Sequence, residues 1–154
     1  MSVRLEVSAE ITAPIAAAWD VLIDWAGQSR WIPLTTVRIT SDHDVGLGVR
    51  AEALSGVRLG RLPIGLLDRF IVTGWTPPAN GAAELAIVHL GPYFTGEGAF
   101  RLIDHNGKTT VSCIEIFSLP GGQAVEWLAR LALPLLRAGF ARSLRTLAKI
   151  AEAQ

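Results

Sequence analysis

The 154 residues carry 14 Lys plus Arg against 14 Asp plus Glu, a formal net charge of zero that gives no pull toward phosphate backbones, so nucleic-acid binding is not expected. Hydrophobic residues make up 50% of the chain and charged residues 18%, and such an apolar surplus must enter a large core, an apolar-walled cavity or an interface. The length suits a single domain over residues 1–154, with core enough to fold without disulfides or metal.

The charged residues Arg4, Glu6 and Glu10 near the start are unlike a signal peptide, and the chain reads as cytoplasmic. Residues 3–11 alternate, with Val3, Leu5, Val7, Ala9 and Ile11 on one face, which predicts a strand with one wet side. Thr12 is placed to cap the helix that follows, Pro14 stands in its first turn, and Ile15, Ala18, Trp19 and Leu22 recur at helical spacing. A second short helix is expected around residues 25–31, stopped by Pro33.

Strands are then expected at 35–42, 49–58, 67–76, 83–90, 97–104 and 108–118. Turns at 43–48, 77–81 and 104–107 divide them, as do two breaks, GRLPIG at 60–65 and GPYFTG at 91–96. The last strand holds the chain's one cysteine, Cys113, so neither an internal disulfide nor a thiolate metal cluster is expected.

After Pro120, Gly121 and Gly122, residues 123–152 predict one long helix. Its most apolar stretch, 128–140, is interrupted by Arg130, Pro134 and Arg137 and falls short of the ~20 residues that a membrane span requires. The charged face of the first half (Glu126, Arg130, Arg137) is rotated from that of the second (Arg142, Arg145, Lys149), with Pro134 and Gly139 between them. A bend or a lost hydrogen bond is therefore expected at 130–139. The wide apolar face of the first half, Trp127, Leu128, Leu131, Leu135 and Leu136, fits a helix lying across a curved sheet. It also fits one meeting a partner, and a homodimer would use this face.

The order of one strand, two short helices, six strands and a long helix resembles the helix-grip fold of the Bet v 1-like, START-related (SRPBCC) superfamily, and within it the polyketide cyclase/dehydrase-type lipid-transport proteins. The resemblance covers residues 3–151 and is most specific at the opening: Ile11-Thr-Ala-Pro14, Trp19-Asp-Val-Leu22, Asp24 and Trp31-Ile-Pro33. Val45–Arg50, Val72–Pro78, and Gly107–Val111 with Glu115 resemble the family's later turns and strands. It implies an α+β fold in which an antiparallel seven-stranded sheet wraps the C-terminal helix, with a cavity between them. The motifs fix the fold and carry no catalytic group, and members range over lipid and polyketide binders, cyclases and receptors, so fold alone selects no function.

Glu115 shares its strand face with Val111, Cys113 and Phe117. In a dry cavity its carboxylate would serve as acid, base or polar anchor; facing the other way it would meet solvent or a neighbouring Arg, since Ile114 and Ile116 give the opposite face an equal claim to burial. His89, on the face of Leu85 and Ile87, is a candidate pocket hydrogen-bonder or base, or else a packed strand histidine. Asp68 and Arg69 read as ordinary strand-end charges, with either able to reach a cavity mouth. The three histidines lack metal-site spacing, and the Gly46/Gly48 pair lacks the helix of a phosphate cradle, so no metal or cofactor is expected.

An inner wall is expected from Phe70 or Ile71, Ile87, Phe100, Phe117, Leu128 and Leu135. Its mouth is expected near Trp31 and at the apolar loop tips Leu62, Pro63, Ile64, Tyr93 and Phe94. Three functions stay open: carriage of a small hydrophobic molecule such as a lipid, polyketide or isoprenoid; a cyclase, aromatase or dehydratase using Glu115 and His89; and an interaction module whose evidence would be an exposed Trp127–Leu135 stripe over a filled interior. Two acid–base groups close together would favour the enzyme, and one or none the binder.

Overall fold

The computed structural model describes residues 2–154, apart from the side chains of Val57, Arg58 and Pro63; the apolar loop-tip role expected of Pro63 lies outside the described residues. The order is β1 (Val3–Ile11), α1 (Ile15–Ile23), a single-turn 3₁₀ helix at Ala26–Arg30, β2 (Thr35–Ile39), β3 (Arg50–Leu59), β4 (Leu62–Ala79), β5 (Ala82–Pro92), β6 (Thr95–His105), β7 (Lys108–Ser118) and α2 (Gly122–Glu152). The seven strands form one antiparallel sheet in the order β1-β7-β6-β5-β4-β3-β2. This is the α+β helix-grip arrangement that the opening motif and element order implied.

The local signals were read correctly in kind and less well in extent. Neither glycine-containing segment is a break. GRLPIG is a tight turn at Gly60 and Arg61 from which β4 starts at once, and GPYFTG contracts to Tyr93 and Phe94 between β5 and β6. The glycines serve the backbone inside the pairing: Gly56 and Gly65 stand opposite each other, where a Cβ on either would meet the facing carbonyl at 2.2–2.3 Å. Thr12 does not cap α1. Its backbone N–H instead donates to Glu152 at the far end of the chain, at 2.8 Å, while α1 starts one residue after Pro14 with no side-chain cap.

A bulge sets which residues of β4 face inward. Val72 pairs with Ile87 but Gly74 pairs with Ala86, so one extra β4 residue is inserted and the inward parity passes from Phe70 and Val72 to Trp75. Trp75 thereby meets Trp19 of α1 edge-on at 5.2 Å. The helix α1 closes one end of the concave face, burying Ala18, Trp19, Val21 and Leu22 with Ile11, Leu85, Leu102 and Val111.

The long helix is anchored at one end. Its last two turns bury Leu144, Leu147, Ala148 and Ala151 against α1 and β1, with Arg142, Arg145 and Lys149 outward. Its first half buries only Ala129, while Trp127, Leu128, Leu131 and Leu135 are 59–78% exposed. The helix runs on through Pro134, which has no N–H to give to the carbonyl of Arg130. No helix among the described residues is long and apolar enough to cross a membrane.

The two halves of α2 should respond differently to truncation. Leu147→Ala removes a fully buried side chain and is expected to cost about 2–5 kcal/mol in urea unfolding. Leu135→Ala, at 78% exposure, is expected to stay within about 0.5 kcal/mol of the parent. Equal losses would contradict this division of the helix.

Candidate functional site

Inward positions run across the sheet as Phe70 on β4, Ile87 and His89 on β5, Gly96, Gly98 and Phe100 on β6, and Cys113, Glu115 and Phe117 on β7. Strand β6 therefore carries no side chain at two successive inward sites. Ile87 and Glu115 both pair with Gly98, and His89 and Phe117 both pair with Gly96. Over this bare stretch the side chains of His89 and Glu115, two strands apart, come together: His89 Nε2 lies 3.0 Å from Glu115 Oε2. A Cβ on Gly98 would fall 2.7 Å from the same oxygen, so the glycine is what admits the carboxylate.

The other ring nitrogen, His89 Nδ1, lies 2.8 Å from Asp68 Oδ2 on β4. The result is a carboxylate–imidazole–carboxylate row across four strands, with side-chain exposures of 15% for Asp68, 8% for His89 and 9% for Glu115. Burial disfavours charge on the ring, but the hydrogen bonds and charges of Asp68 and Glu115 outweigh it and hold His89 up at about 9. The ring is thus an imidazolium at neutral pH, donating from both nitrogens. Phe94 covers it at 5.0 Å between ring centres and in turn meets Phe117 at 6.1 Å.

Glu115 Oε1 points away from the histidine and accepts a weak contact from the Cys113 thiol at 3.9 Å. Burial pushes the Cys113 thiol well up, and the charge and hydrogen bonding of Glu115 add to this, so it behaves as a buried neutral thiol. Because the two nitrogens of His89 diverge toward opposite carboxylates, the row does not converge on a metal-ion position, and no other group of described residues does so.

Of the expected wall, Phe70 and Ile87 are buried, and it is Phe70 rather than Ile71 that belongs to the inward parity. Phe70 packs against Trp25 at 5.8 Å, and Phe100 against the buried Trp31 at 6.1 Å. Phe117 is half-buried beside Phe94. Leu62, Tyr93, Leu128 and Leu135 are at least half exposed and form apolar surface open to solvent. Leu59, Ile64, Leu66 and Leu90 are exposed as well, so the β3–β4 hairpin tip and the β5–β6 turn present apolar side chains at the end of the sheet where α2 begins. Among the described residues, the buried polar atoms Trp31 Nε1 and Asp68 Oδ1 have no hydrogen-bond partner. Grooves lie beside Val3, Leu119 and Glu126 and beside Arg30, Thr146 and Lys149; His89 lines neither.

Asp68 is the residue that sequence reasoning set aside as a strand-end charge. Its position two residues before the inward Phe70 was the available signal, and because β4 starts at Leu62 rather than at 67 it is an interior position of the strand and not a strand-end charge. The alternation on β7 had left Glu115 open between a pocket and an outward ion pair; it faces inward and pairs with His89.

No family model matches this chain, and no curated protein matches its sequence. Solved structures match it closely in shape. The protein TTHA0849 from Thermus thermophilus gives a TM-score of 0.74 at 15% identity over 98% of both chains. The Zhui aromatase/cyclase from Streptomyces sp. R1128 gives 0.69 at 16% identity, covering 99% of this chain and 94% of that one. Ara h 8.0201 gives 0.65 at 9% identity over the whole of both chains. At such identities the likeness is one of fold, and the fold is an α+β helix grip.

Two measurements test this geometry. Gly98→Ala should displace the Glu115 carboxylate and cost about 1–3 kcal/mol in denaturant unfolding, as expected when a buried charged group loses its partner; an unchanged midpoint would show that the row does not depend on the bare strand. The second is pH. Since His89 keeps its proton to about 9 against an ordinary 6.5, its contribution is full below pH 6.5 and is lost as pH rises through 9. Unfolding free energy should fall across that window by up to about 3 kcal/mol, and His89→Gln should flatten the fall. A parent protein equally stable at pH 6.5 and 9.5 would contradict the assignment.

Proposed function

We propose that the protein binds a small hydrophobic molecule between the concave face of the sheet and the first half of α2. The observation that carries this reading is the unmatched apolar surface on α2: four large side chains, Trp127, Leu128, Leu131 and Leu135, stand exposed on the half of the helix that a helix-grip fold lays over its sheet. A ligand seated there would bury them together with inner-face residues such as Ile87 and Phe117, at roughly 25 cal/mol per Å² of apolar area before ordering costs. The row of Asp68, His89 and Glu115 gives the otherwise apolar face its polar end, as ligand pockets commonly have. The fold likeness to an aromatase/cyclase and to Ara h 8.0201 is compatible with this reading.

A second reading, acid–base catalysis on the bound molecule, is favoured by one specific observation: three ionisable side chains are joined by two hydrogen bonds of 2.8 and 3.0 Å. In that reading His89 is not the base, because both its nitrogens already carry protons committed to carboxylates. The acceptor atoms outside these two hydrogen bonds are Asp68 Oδ1 and Glu115 Oε1, the latter holding only the weak contact from the Cys113 thiol. A carboxylate base poised this way would suit proton abstraction in a cyclisation or dehydration. The third reading, an interaction module, shares the exposed helix face but leaves the buried ionic row without a task.

Titration with the neutral fluorescent probe N-phenyl-1-naphthylamine tests the binding reading. Saturable enhancement is expected, and Ile87→Trp, which adds volume at the inner wall, should weaken binding at least tenfold with an unchanged circular dichroism spectrum. Failure of the parent protein to bind this probe and a panel of apolar ligands would overturn the reading. Glu115→Gln should abolish any turnover while sparing binding of the probe, and its retention of full turnover would remove the catalytic reading.

A further inference from the structure

We propose that this site selects apolar molecules ending in a hydrogen-bond donor, a hydroxyl or an ammonium group, and discriminates against those ending in a carboxylate. The inference rests on the binding reading above and adds the chemistry of the ligand's polar end.

The first support is charge. Two carboxyl groups flank one imidazole, so acidic groups outnumber the basic one on a face otherwise lined by Phe70, Ile87, Phe94 and Phe117. The cation adjacent in sequence, Arg69, has the opposite strand parity from Asp68 and pairs with Glu52 at 3.1 Å, as does Arg38 at 2.7 Å. Both thus pair with Glu52, whereas the ion pairs of Asp68 and Glu115 run to His89. In apolar surroundings the interaction between charges is much stronger than in water, so a second anion placed beside this row is disfavoured and a cation favoured.

The second support is hydrogen bonding, and it is independent of the first. Asp68 Oδ2 accepts the hydrogen bond from His89 Nδ1, while Oδ1 is buried and no donor among the described residues reaches it. A buried acceptor without a donor is costly, and recognition is sharpest where a ligand group supplies the missing bond. A hydroxyl or an ammonium supplies that donor, whereas an ionised carboxylate supplies none.

Displacement of N-phenyl-1-naphthylamine at pH 7 by four ligands of one hydrocarbon frame tests this: naphthalene, 2-naphthol, 2-naphthylmethylamine and 2-naphthoate. The alcohol and the amine are expected to bind at least tenfold more tightly than the carboxylate, and Asp68→Asn should bring the alcohol and the carboxylate to within threefold of each other. Glu115→Gln, which removes the other carboxylate, should narrow the gap in the same direction. Naphthoate binding as tightly as naphthol in the parent protein, or the tenfold gap persisting in both variants, overturns the inference and leaves the binding reading standing. If the probe binds but neither naphthalene nor any derivative displaces it, the inference falls and the binding reading stands; if the probe and the panel of apolar ligands all fail to bind, both fall together.

Discussion

A histidine held between two carboxylates on the dry face of a β-sheet is the most demanding interaction in this structure, and much of the neighbouring sequence can be understood as accommodating it. Three ionisable groups leave water, a cost that only close mutual pairing offsets. The pairing is across strands: Asp68 on β4 meets His89 on the neighbouring β5, and His89 meets Glu115 on β7 over Gly96 and Gly98 of β6, where inward side chains would otherwise stand. Two glycines in a strand interior weaken it locally, and that weakness is the structural counterpart of the ionic row above them. Phe94, from the short turn before β6, and Phe117, opposite Gly96, complete the dry surroundings.

The second organising fact is the unequal packing of α2. Its C-terminal half is a core helix, fixed by Leu144 and Leu147 against α1 and β1 and tied at the end by the hydrogen bond from Thr12 to Glu152. Its N-terminal half is as apolar but meets little of the protein. Pro134 lies between the two behaviours, and the helix continues through it without a backbone donor at that position. A helix firm at one end and apolar but uncovered at the other, beside a sheet whose inner face carries a buried polar row, has the form expected of a receptor for something that is both greasy and polar at one point.

The architecture was largely legible in the sequence, because it rests on local chemistry: the alternation of 3–11, the Asn-Gly turn before β7, the Trp-rich opening and the helical period after Gly122. Strand ends were legible only coarsely. Glycines at 60, 65, 91 and 96 read as breaks, yet they sit at hairpin turns and at close backbone approaches within continuous pairing. The site was half legible. The period of two placed His89 and Glu115 on apolar faces, but not next to each other, since their contact depends on cross-strand register that no local pattern encodes. Asp68 was hidden further by the bulges of β4 and β5, which alter register between Asp68 and Phe70 and between Val72 and Gly74. The helical period correctly identified an apolar stripe at Trp127–Leu135 but could not say whether the protein itself would cover it.

The central claim is that a ligand joins the two apolar surfaces, the inner face of the sheet and the first half of α2. Intermolecular nuclear Overhauser effects between N-phenyl-1-naphthylamine and methyl-labelled protein test it most directly. The account predicts contacts from one bound probe molecule both to the Ile87 methyls and to at least one of Leu128, Leu131 and Leu135. Contacts to the helix leucines without Ile87, or to neither, would contradict it and turn the exposed stripe into a surface for another macromolecule.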